Sequence, residues 1–191
     1  MATSLRQQCE ACREAILAAI IDSLHERRDY IASIERTANG EMPVSGIALE
    51  LFPWHGCLGL SLRLTSDFPL GKSRYDSADW PHFDFTNGCN SQSIQAAISL
   101  VTAIYEKGKQ TNNDLRDMAH LSFMSSAEAL LDPRVSRLLN EFGINAPELT
   151  DRFVSSPFQY IVTDVDETIK SNYCDIVLGN RAAKRLLDNA E

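Results

Sequence analysis

Gly46-Ile47-Ala48-Leu49-Glu50-Leu51-Phe52, closed by Pro53, and Cys57-Leu58-Gly59-Leu60-Ser61-Leu62-Arg63-Leu64 decide the fold class. In the second run Leu58, Leu60, Leu62 and Leu64 alternate strictly with Gly59, Ser61 and Arg63, the period of two that a half-buried strand requires. Pro53-Trp54-His55-Gly56 lies between the two runs and turns the chain, so they pair as a hairpin. A strand of this pattern buries one face, and helices must cover its leucines.

Upstream, residues 4–28 read as a helix in which Ile16, Leu17, Ile20, Ile21 and Leu24 form one stripe. The β-branched stretch 30–37, followed by the turn-forming Asn39-Gly40, reads as a strand preceding the hairpin. Downstream, 65–93 collects Pro69, Gly71, Pro81 and Gly88 among aromatic residues and reads as a long ordered connection, with a short strand at 82–85. Helices follow at 93–109 and 113–124, another at the box Ser125-x-x-Glu128, and another at Asp132-Pro133, ended by Gly143. Residues 159–163 are a candidate further strand and 174–189 a last amphipathic helix. The expected fold is α+β: a small antiparallel sheet from 30–37, 46–52, 57–64 and 159–163, packed by the first helix and the helix at 93–109. One domain spans 1–191, with the N-terminal helix and sheet over about 4–90 and a helical half over about 91–191.

A chain of 191 residues, 44% hydrophobic and 23% charged, has enough apolar material for one such core. With 18 Lys+Arg against 26 Asp+Glu the net charge is −8, which argues against a nucleic-acid partner and favours a basic protein. The apolar run 15–21, between Glu14 and Asp22, falls far short of the roughly 20 residues that cross a bilayer. It also lacks the flanks of a signal peptide. No membrane partner and a cytoplasmic location are therefore expected; oligomeric state is not written in the sequence.

The cysteines at 9, 12, 57, 89 and 174 are odd in number and irregular in spacing, so free thiols are expected. Cys9-x-x-Cys12 has the spacing of a zinc or redox pair, but Leu5, Cys9, Cys12 and Ile16 share one helix face, where thiols serve as small hydrophobes. His25 and His120 have no partner at metal-ligand spacing. No metal or other cofactor is called for.

Two groups of residues could do chemistry. Tyr160-Ile161-Val162-Thr163-Asp164-Val165-Asp166-Glu167-Thr168-Ile169 is an apolar strand entering D-x-D-x-T, and it resembles the first motif of the haloacid-dehalogenase-like phosphatases. That resemblance implies Asp164 as nucleophile and Asp166 as acid/base, both beside magnesium. It covers ten residues. The stretch after Thr168 is too short for the doubly wound domain such enzymes need, and a strand end with Asp166 or Thr168 as a helix cap accounts for the same letters. The second group, His82, Asp84 and Cys89, holds the residue types of a thiol hydrolase. On these grounds a hydrolase or phosphatase using Asp164/Asp166 or His82/Cys89 is the alternative function.

The leading function rests on Tyr75-Asp76-Ser77-Ala78-Asp79-Trp80-Pro81-His82-Phe83-Asp84-Phe85, four aromatics interleaved with three acids and no lysine or arginine. Large aromatics anchor protein interfaces, and acids around them steer a basic partner. The opposing expectation is that two of Trp80, Phe83 and Phe85 pin the loop to the core. Candidate binding residues are Trp54 at the hairpin tip, Tyr75, Asp76, Asp79, Trp80, His82 and Asp84. Arg74-Tyr75-Asp76-Ser77-Ala78-Asp79-Trp80 is similar to a stretch in a family of uncharacterised bacterial domains of unknown function, of a kind often grouped with the immunity proteins of polymorphic toxin systems. The resemblance implies a small protein that binds a cognate toxin and blocks it, and supplies no catalytic residue.

Overall fold

The first helix, α1 (Leu5–Glu26), runs through the middle of the fold in the computed structural model, which describes residues 5–37, 44–65, 77–110, 115–150, 158–164 and 171–188. Cys12, Ile16, Leu17, Ala19, Ile20 and Leu24 are all buried, on more than one side of the helix. They can be, because α3 (Gln92–Gln110), α4 (Leu115–Leu130) and α5 (Pro133–Glu141) pack around it. One hydrophobic core runs from Cys12 to Leu178 and joins these helices to the sheet.

Residues 30–37 are not the expected strand. They belong to α2 (Arg28–Thr37), which follows α1 after a turn at Arg27. The apolar spacing explains the outcome: Ile31 and Ile34, three apart, both face the core, whereas in a strand they would point to opposite sides. β-branched content suggested a strand, and position overrode it.

The hairpin is as read. β1 (Val44–Phe52) and β2 (Cys57–Leu64) pair antiparallel, with Ile47 opposite Leu62, Leu49 opposite Leu60 and Leu51 opposite Leu58. A register shift between Val44 and Gly46 bends the start of β1. The third strand, β3 (Gln159–Ile161), lies on the other side of β1 and runs parallel to it, giving the order β2-β1-β3. The sheet is therefore mixed rather than antiparallel. A parallel neighbour needs a long crossover, and here the helices α3 to α5 supply it. The side chain of Asn172 then closes β3: Val162 N–H donates to its Oδ1 at 3.1 Å, and its Nδ2 donates to the Tyr160 carbonyl at 2.9 Å.

In the helical C-terminal half, α4 is continuous through Ser125, so Ser125-x-x-Glu128 is no helix start. The Ser126 hydroxyl donates back to the Ser122 carbonyl within the helix, and that of Ser125 to the Cys9 carbonyl of α1. Asp132-Pro133 does start a helix, the Asp132 carboxylate accepting from Arg134 N–H at 3.0 Å, and Gly143 leaves α5 at φ +93°. The last element is α6 (Tyr173–Asp188), in which Tyr173, Cys174, Val177 and Leu178 are buried and Ile176 is exposed. The architecture is a small α+β fold with a helical C-terminal half. Among the described residues no helix is long and apolar enough to cross a membrane.

Candidate functional site

The alternation that sends Ile47, Leu49, Leu60 and Leu62 into the core sends Ala48, Glu50, Gly59, Ser61 and Arg63 to the other face of the sheet. That second face is not open to water either. Residues 77–90 fold over it after a single 3-10 turn, Ser77–Asp79. Trp80 packs there with Ala48 and Ile161 in a small cluster separate from the main core. The loop also runs along the free edge of β2, where Leu62 N–H donates to the His82 carbonyl (3.1 Å) and Phe85 N–H to the Leu60 carbonyl (2.9 Å). Thus the short strand expected at 82–85 is one bridge, Leu62 to His82.

Side chains complete the attachment. Leu60 N–H donates to Thr86 Oγ1 (2.8 Å) and Asp84 N–H to Ser61 Oγ (2.9 Å). Gly59 makes room for Asp84, because a Cβ there would lie 2.3 Å from its Oδ1. Asp84 holds φ +41°, a left-handed conformation that aspartate tolerates better than most residues. Its carboxyl is half-buried, and burial pushes it above the usual carboxylate range, against the Thr86 hydroxyl and the charge of Arg27. Arg63, 1% exposed, ties all three strands together, its Nε donating to Ser45 Oγ (3.1 Å), Nη2 to the Ser45 carbonyl (2.8 Å) and Nη1 to Gln159 Oε1 (2.6 Å).

What remains outside is an aromatic edge. Phe83 is 43% exposed and Tyr30 of α2 is 40% exposed. Tyr30 stacks on Phe85 (centroids 5.9 Å apart, planes 7° apart), meets the His82 ring edge-on, and shares a 2.7 Å hydrogen bond between its hydroxyl and His82 Nδ1. Trp80 and Phe85 are buried and Phe83 is not, so two of the three aromatics pin the loop. Tyr75 and Asp76 lie outside the described residues, and Asp79 ends the 3-10 turn.

Trp54 does not join this edge. It packs edge-on to Phe52 and beside Tyr105 of α3, against the main core. Of the candidate chemistry, Asp164 lies half-buried beyond β3, and Asp166 is outside the described residues. His82 is held by Tyr30, whereas Cys89 sits against Arg27 on the loop's far end. Burial pushes the Cys89 thiol up, despite Arg27, which opposes the thiolate that a nucleophile needs. Among the described residues no three His, Cys, Asp or Glu side chains cluster as a metal site.

Three members of this face escaped sequence reading. Tyr30 was hidden by the strand reading of 30–37. Glu50 and Arg63, both buried, stand where alternation predicts exposure, and their only signal is that they are the charged letters of two otherwise uncharged strands. No protein-family model, curated protein or solved structure matches the chain.

Proposed function

We propose that this chain is a binding protein of the immunity type, acting in the cytoplasm, that holds and blocks a basic protein partner through the edge formed by Tyr30, His82 and Phe83. The observation that carries the reading is the exposure of Phe83 and Tyr30 beside a loop bonded to β2 through His82, Asp84, Phe85 and Thr86. Tyr30, held by Phe85 and His82, loses little freedom on binding, which favours affinity. The net charge of −8 supports a basic partner, with Asp76 and Asp79 steering its approach. Trp80 belongs to the support of this edge, and Phe83 is its anchor.

The test starts with the partner recovered from the native host by cross-linking and pull-down. Phe83→Ala should leave the melting temperature unchanged and cost about 2 kcal/mol of binding, roughly 30-fold in Kd, through faster dissociation. Trp80→Ala should instead lower the melting temperature. Replacing Asp76 and Asp79 by Asn should slow association and flatten its salt dependence. A partner that binds Phe83→Ala and Tyr30→Ala as it binds the parent removes this edge from the reading.

A further inference from the structure

Cys9 and Cys12 lie one turn apart on α1, where it faces α4. Cys12 is fully buried, while Cys9 lines a groove of about 460 Å³ whose walls include Arg6 and Arg13 of α1 and Met124, Ser125 and Glu128 of α4. Both cysteines are free thiols, and Ser125 binds the side chain of Cys12 and the carbonyl of Cys9. Helix geometry, a rise of about 1.5 Å per residue on a radius of about 2.3 Å, sets Cα atoms three residues apart at about 5 Å. A disulfide spans Cα separations of about 4.4–6.8 Å, so the Cα spacing allows the bond, and closing it draws the Cβ atoms in from about 5–6 Å to about 4 Å with a local distortion of that turn.

We propose that Cys9 and Cys12 are a thiol–disulfide exchange pair, in which Cys9 takes up a small-molecule disulfide from the groove and Cys12 resolves it. The Cys9 thiolate attacks one sulfur of the incoming disulfide, forming a mixed disulfide on Cys9 and releasing the other half as a thiolate that takes up a proton. Cys12, having lost its proton to solvent, then attacks Cys9 Sγ and expels the second half as a thiol. Two protein thiols are oxidised, and one small disulfide is reduced to two thiols. The order follows from access, since only Cys9 reaches the groove. Burial pushes the Cys12 thiol up to about 12, so the second step is the slow one and quickens as the pH rises.

The test uses the whole chain and oxidised glutathione, with free thiols alkylated at intervals and the digest read by mass. Cleavage after Arg6 and Arg13 gives peptide 7–13, which holds Cys9 and Cys12 and no other cysteine. Expected is one glutathione adduct on Cys9 that converts to the same peptide lacking two hydrogens, faster at higher pH. Exposed Cys57, the internal control, should keep its adduct. Cys12→Ala should stop peptide 7–13 at the adduct; should that variant not fold, the parent's time course still decides. A peptide that stays reduced after Cys57 is fully modified, or an adduct on Cys9 that never closes, overturns the proposal.

Discussion

The two faces of one three-stranded sheet are both buried, by opposite means. On one, Ile47, Leu49, Leu51, Leu60 and Leu62 are each at most 2% exposed in the helical core, where burial itself is favourable by about 25 cal/mol per Å² of apolar surface. On the other, Ser61, Arg63 and Glu50 are nearly as buried, under a loop, where burying polar groups is unfavourable unless each finds a partner. The first face tolerates any well-fitting apolar neighbour. The second depends on particular bonds: Arg63 to Ser45 and Gln159, Ser61 to Asp84, Thr86 to Leu60. A strand's alternation therefore tells which residues share a face, and leaves open what will cover it.

The comparison breaks most visibly at adjacent residues. Leu62→Ala should cost about 3 kcal/mol, the transfer term plus a cavity among packed helices, read as a lower urea midpoint with unchanged slope. Arg63→Ala should cost about 2 kcal/mol, because the Ser45 and Gln159 oxygens lose their charged donor. The two losses should differ in place as well as size. Hydrogen exchange in Arg63→Ala should speed up at Gln159–Ile161, which the guanidinium ties to the hairpin, while β1 and β2 keep their protection. Exchange rising equally across all three strands would show that the polar face has no separate stability.

The apolar face was legible from sequence almost residue by residue, since Leu58, Leu60 and Leu62 alternate and their partners follow from the turn. The helices were legible where caps are chemical, as at Asp132-Pro133, and less so at Ser125, whose hydroxyl bonds the Cys9 carbonyl of α1 in mid-helix instead of capping a new one. The candidate site was half legible. Its loop stood out by composition, but which aromatic stays outside depends on contacts of long sequence separation, Trp80 with Ala48 and Ile161, Tyr30 with His82. β3 could be placed as a strand but not in direction, because nothing local records the path of the helices between.

Two carboxylates of opposite setting sharpen the same contrast with smaller effects. Asp132 caps α5 and pairs with Arg134, whose hydrogen bonds hold its carboxyl below the usual range. Asp132→Ala should cost about 1 kcal/mol at neutral pH. Because the folded form holds the proton less tightly than the unfolded chain, the carboxylate's contribution is present above about pH 4 and fades as the pH falls through the folded value. The difference between parent and variant should shrink in acid; a difference independent of pH would assign the cap's effect to geometry alone.

Asp84 should behave the other way, with the smallest effect. Its carboxyl is raised by burial over Gly59, so the folded protein holds that proton more tightly than the unfolded chain does. The sign follows from linkage: stability from this group falls as pH rises from about 4 through the folded value, and the penalty is fully present above it. Asp84→Asn removes the charge, keeps an oxygen for the Thr86 hydroxyl, and suits φ +41° as well as aspartate does. Its urea midpoint should therefore lie slightly above the parent's at pH 7 and meet it near pH 4. If the parent is instead the more stable at pH 7, the charge of Asp84 helps hold the loop, and the second face draws on electrostatics as well as on hydrogen bonds.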